Sequence, residues 1–103
     1  MQILFIMFFS LIFSQNGAYL KGIIIDNINN TPIPLVNISS KKLNIGSESD
    51  EDGFFLIHNI NDDKIKLTFS HIGYQTIEKE ISLPQKDSLI IKMKETFFSM
   101  DEL

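Results

Sequence analysis

Between residues 19 and 94 short β-type stretches recur at close spacing with turn signals between them, several alternating apolar and polar residues and one, 19–25, a β-branched run. A period of two is the mark of a half-buried β-strand. The clearest example is 64–69, where Ile65, Leu67 and Phe69 face one way and Lys64, Lys66 and Thr68 the other. The same reading predicts strands at 19–25, 35–40, 44–49, 53–57, 74–81 and 88–94. Val36 and Ile38 share a face, as do Phe55 and Ile57, with Phe54 and Leu56 opposite; Ile77 pairs with Ile81, and Leu89 with Ile91 and Met93. Between these runs lie Asp26-Asn-Ile-Asn-Asn30, whose side chains bond their own backbone, and Pro32-Ile-Pro34, which cannot occupy a central strand. No stretch after residue 18 has helical spacing. Seven short strands with turns between them predict an all-β chain folded as a two-sheet, antiparallel β-sandwich.

The N-terminus follows a different pattern. Residues 1–13 read MQILFIMFFSLIF, a run of about a dozen apolar residues, too short for a membrane-spanning helix and the length of a signal-peptide core. Ser14 suits the position before cleavage, which would start the mature chain at Gln15. No Lys or Arg precedes the run, so the amino terminus alone supplies positive charge there. The expected organisation is a signal peptide at 1–14, a sandwich at 15–94 and a linker at 95–103. The mature chain is expected to be exported and to contain no membrane span.

Composition narrows the chemistry. With 103 residues there is room for one domain, and 44% hydrophobic residues with 21% charged is ordinary for a globular protein. All nine basic residues are Lys and the net charge is -4, which argues against nucleic acid as a partner. The absence of Cys removes disulfides, thiolate catalysis, Cys-type zinc sites and the acylated cysteine of a lipoprotein. No cofactor-binding motif is present.

Three constellations invite a chemical reading. Glu48, Asp50, Glu51 and Asp52 precede Gly53, and hard cations favour clustered oxygens. The set lacks the further ligands of a calcium loop, so a hairpin turn in which Asp caps amides and Gly takes positive φ is the better account, with Glu48, Asp50 and Asp52 as the candidate cation ligands. His58 and His71 have no third ligand at metal spacing. Ser70, His71 and Asp62 or Asp63 do not form a triad, because neighbours on a strand point to opposite faces. Gly73-Tyr74 predicts a bend at which the Tyr ring covers the core end and its hydroxyl meets water. Phe97 and Phe98, past the last strand, are an apolar pair suited to docking.

The order of the motifs adds a resemblance. Gly22-Ile-Ile-Ile-Asp26, Asn29-Asn-Thr-Pro-Ile-Pro-Leu-Val-Asn-Ile38, Gly46-Ser-Glu-Ser-Asp50, Asp52-Gly-Phe-Phe55 and Ile72-Gly-Tyr74 follow one another across residues 22–81. In that order they resemble the carboxypeptidase regulatory-like domain, a transthyretin (prealbumin)-like sandwich found most often at the N-terminus of TonB-dependent outer-membrane receptors of Bacteroidetes-type bacteria. The positions that carry it are Gly22, Asp26, Pro32, Pro34, Gly46, Asp50, Gly53, Phe55, Gly73 and Tyr74. Asn29-Asn30 stand where the family has Thr-Gly, Leu35 where it has a small residue, and Ser47 and Ser49 where it has Thr. Met100-Asp-Glu-Leu103 is similar to the start of the segment leading to the TonB-box and plug.

The resemblance implies no catalytic residue. It implies a place on the periplasmic face of the outer membrane, and protein partners such as a receptor's plug and barrel or the energy-transducing periplasmic protein. A stand-alone exported sandwich binding a glycan or a protein is the alternative. An accessory domain of a zinc carboxypeptidase would need a catalytic domain ahead of it, for which the leader at residue 1 is expected to leave no room.

Overall fold

The computed structural model describes residues 17–96; the expected signal peptide at 1–14, Phe97, Phe98 and Met100-Asp-Glu-Leu103 lie outside them. Seven strands form near the expected stretches: β1 (Ala18–Asp26), β2 (Asn37–Ser40), β3 (Ile45–Glu48), β4 (Phe54–Ile60), β5 (Lys64–His71), β6 (Tyr74–Ser82) and β7 (Leu89–Met93). They build a three-stranded sheet ordered β4-β1-β7 and a four-stranded sheet ordered β3-β2-β5-β6. The inner faces meet in one core containing Leu20, Ile24, Ile38, Ile57, Leu67, Ile91 and Met93. Ile33 and Val36 join it from the loop before β2, where prolines on either side of Ile33 hold the chain extended.

Four of the five ladders are antiparallel, as expected. The exception is β1 with β7, which run parallel, Gly22 beside Leu89 and Asp26 beside Met93. Period-two alternation shows which face a residue takes but carries no information on strand direction. β7 reaches the three-stranded sheet from the four-stranded one, and that crossover sets its direction.

The acidic segment before β4 also departs from expectation. The turn itself is that of a hairpin end, the Gly53 amide donating to the Asp50 carbonyl and the Asp50 amide to the Phe54 carbonyl, both at 2.9 Å, but its arms part at once, because β3 and β4 belong to different sheets. Ser49 still bonds Leu35 and Val36, while the Gly53 carbonyl already accepts from the Ile24 amide at 2.8 Å. The chain therefore changes sheets within four residues, as a corner does.

Gly22 lets the Phe55 ring lie across the inner face of its own sheet. It is buried on β1 opposite Phe55, and a Cβ there would lie 2.6 Å from the Phe55 ring and 2.9 Å from the Leu89 carbonyl oxygen. The ring occupies the space a side chain would take and meets Phe69 of the other sheet edge-on, centroids 5.8 Å apart. Gly22→Ala is expected to destabilise the domain by about 1–3 kcal/mol through overpacking. A thermal melt checks this, and combining the change with Phe55→Leu should recover part of the loss.

Candidate functional site

The end of the sandwich near the close of β1 gathers three of the motif residues. Asp26 is buried as the last residue of β1. Its Oδ1 accepts from the amides of Ile28 at 2.8 Å and Asn29 at 3.2 Å, which shapes the loop that follows. Its Oδ2 accepts from the Tyr74 hydroxyl at 2.8 Å. The Tyr74 hydroxyl is thus tied to a carboxylate, where the sequence alone pointed to water. Gly73 and Tyr74 also receive the chain leaving β7: the Thr96 amide donates to the Gly73 carbonyl, and the Gln75 amide to the Lys94 carbonyl. His71 stands edge-on to the Tyr74 ring at 5.4 Å and accepts the Gly73 amide at Nδ1.

This arrangement sets the charge states. The Ile28 amide first, and the Tyr74 hydroxyl next, hold the Asp26 carboxyl below its ordinary value of 3.8. Burial first, and then the bond to Asp26 and its charge, push the Tyr74 phenol up to about 12. A charged acceptor and a proton-retaining donor form a persistent bond across most of the pH scale. The pair spans the two sheets, Asp26 from one and Tyr74 from the other.

A second group of motif residues meets at the corner. Asp50 Oδ1 accepts from the amides of Asp52 and Phe54, both at 2.9 Å. Gly53 takes φ +79°, and a Cβ there would lie 2.6 Å from the Ile24 carbonyl oxygen and 3.3 Å from Pro32. Pro32 in turn bridges Ile25. Asp50 therefore serves the turn. Asp52 and Glu48 are exposed, and among the described residues no group of three or more His, Asp or Glu side chains is disposed to hold a metal ion. Gly46 lies on β3 beside Ser39, apart from both groups.

Ser49 is the residue that sequence reasoning missed. Although only a Thr-to-Ser departure by resemblance, it is buried, donates to the Ile33 carbonyl at 2.8 Å and accepts the Val36 amide at 2.9 Å. Its hydroxyl fastens the proline loop to the corner, and the only signal for it was a small polar residue one step before Asp50. Between Ser49 and Pro34, Leu35 projects into solvent with φ +61°. Asn30, in the family's glycine position, takes φ +61° as well, a conformation Asn adopts readily and Leu does not.

The histidines stay separate, His58 exposed on β4 and His71 at the end of β5. Asp62 and Asp63 precede β5 while Ser70 and His71 close it, so the strand's length divides the supposed triad. What these groups do together is bond backbone and join sheets.

Fold and site define a small β-sandwich accessory domain. The chain belongs to the CarboxypepD_reg-like domain family, whose model matches residues 20–103. Among curated proteins, none matches the chain.

Two outcomes follow from the geometry. A lowered Asp26 value means that its contribution is present above the ordinary carboxyl range and is lost as pH falls through the folded value. A raised Tyr74 value means the reverse: stability is intact below pH 10 and declines as pH rises toward about 12. Tyr74→Phe should remove its share of the alkaline decline and shrink the acid one without abolishing it, since the Ile28 and Asn29 amides remain; urea midpoints across pH test this. Leu35→Gly should raise stability by about 0.5–1 kcal/mol, because relief of left-handed strain exceeds the added chain entropy. A thermal melt reads that gain, and a loss would refute it.

Proposed function

We propose that this chain is a non-enzymatic accessory domain of a TonB-dependent outer-membrane receptor, exported by its leader and set on the periplasmic face of the outer membrane. It acts there as a spacer and docking module in nutrient uptake, contacting the receptor's plug and barrel or the energy-transducing periplasmic protein. The observation that carries this reading is family membership over residues 20–103, joined to the likeness of Met100-Asp-Glu-Leu103 to the approach to a TonB-box. The motif polar groups, gathered at one end of the sandwich, support a structural rather than a chemical role, since their hydrogen-bonding capacity is committed to backbone and to each other.

The coding frame downstream of Leu103 tests the receptor context. A frame that continues into a plug and then alternating barrel strands is the expected result. A stop codon followed by an unrelated frame refutes the reading. Fractionation of cells making the full reading frame should place the domain with the outer membrane, and recovery from the cytoplasm would refute its export.

A further inference from the structure

The two sheets turn very different faces outward. On the four-stranded sheet, β5 and β6 present Lys64, Lys66, Glu78 and Glu80, joined in exposed ion pairs of 3.9 Å (Lys64–Glu80) and 3.2 Å (Lys66–Glu78). Such pairs add little stability and mark a solvated surface. On the three-stranded sheet, one row crosses all three strands: Phe54 beside Ile23 beside Ile90. Phe54 is 52% and Ile90 61% exposed, and Leu56 extends the apolar surface from the next row. Apolar residues so placed, edge to edge on one sheet, mark an interaction surface.

Charge says what covers it. Lys21 lies one row to one side of the apolar row, next to Leu56, and Lys92 one row to the other side, next to Ile25. Four residues of strand separate those rows, roughly 13 Å. No Asp or Glu takes an outward position on any of the three strands, in a chain whose net charge is -4. A second copy laid face to face would set lysines against lysines with no carboxylate between them. An anionic membrane would repel the chain's net charge, whereas a local protein element feels mainly the two lysines within a Debye length of about 8–10 Å.

We propose that the outward face of β4-β1-β7 docks an acidic, amphipathic protein element, its apolar stripe on Phe54, Ile23 and Ile90 and a carboxylate at each end paired with Lys21 and Lys92. A helix is one such cover, and two helical turns, with acids about seven residues apart on one face, rise about 10 Å, which the Lys and Glu side chains extend to the spacing of the two lysines. This deepens the docking role proposed above and rests on it, naming the surface and the partner's chemistry.

The test uses the full chain, isotopically labelled, and a synthetic amphipathic helical peptide with a Leu face and Glu about seven positions apart beside it; a second peptide carries Lys in place of Glu. The Glu peptide should shift the amides of Ile23, Phe54 and Ile90. Its affinity should fall at least about tenfold in the Lys21→Glu/Lys92→Glu variant, equivalent to 1.4 kcal/mol. Both lysines are exposed, so the variant should melt like the parent; the Lys peptide should bind the variant and not the parent. Equal binding of both peptides, or shifts confined to other surfaces, overturns the proposal. So does binding to phosphatidylglycerol vesicles through this face, or self-association that Ile90→Lys abolishes. The receptor context is decided by the coding frame, which the titration does not touch, so failure of either is told apart from failure of the other.

Discussion

The sandwich closes on one carboxylate. Asp26 sits where β1 ends, and its two oxygens are divided between the loop that must turn there and the opposite sheet that must be held. A buried carboxylate with fewer partners would favour protonation and weaken the turn. Supplied with two amides and a phenol, it stays charged and determines three things at once: the course of residues 27–30, the position of the start of β6, and the place where the chain from β7 crosses to Gly73 and Tyr74. The motif around Gly22 and Asp26 and the motif Ile-Gly-Tyr are far apart in sequence. They are two halves of this one contact.

Most of the fold was legible because most of it is local. Lys64 to Phe69 alternates so cleanly that strand, face and core membership follow from spacing alone, and Phe55 with Ile57, and Ile91 with Met93, share a face as their spacing implies, the inner one. What escaped depends on partners distant in sequence. Nothing within 88–94 reveals that β7 pairs parallel to β1, since that is set by a crossover between sheets. The corner at Asp50 reads as a hairpin because its turn chemistry is the same; only the partners of Ser49 and Gly53 tell the two apart. The Tyr74 hydroxyl found Asp26 at a separation of 48 residues, beyond the reach of any pattern argument. The positive φ at Asn30 follows from residue chemistry, while at Leu35 it runs against that chemistry.

One local signal does point beyond the core. Ile23, Ile24 and Ile25 are consecutive, and a strand with one wet face should not be apolar on both. β4 repeats the feature with Phe54, Phe55, Leu56 and Ile57, and β7 with Leu89, Ile90 and Ile91. All three strands belong to the same sheet, and no strand of the other sheet carries such a run. Covered strands read as continuous apolar runs, so the composition of the three-stranded sheet is that of a sheet with layers on both sides.

Such a face has a cost that bears on its meaning. A domain of this size buries only about three-fifths of its unfolded surface, and its stability margin is correspondingly small. Phe54 and Ile90 contribute little to that margin, standing half or more in solvent, while they lie on strands at the edges of their sheet, where exposed apolar residues invite unwanted pairing. Polar residues at those two positions would leave the core intact, because every inward neighbour is supplied by the alternate register. Lys21 and Lys92 act against indiscriminate association by repelling a like face, yet they leave the apolar row between them open. Lysines on either side of an open hydrophobic area give this face the properties of a selective contact, which is what the proposed docking role would require of it.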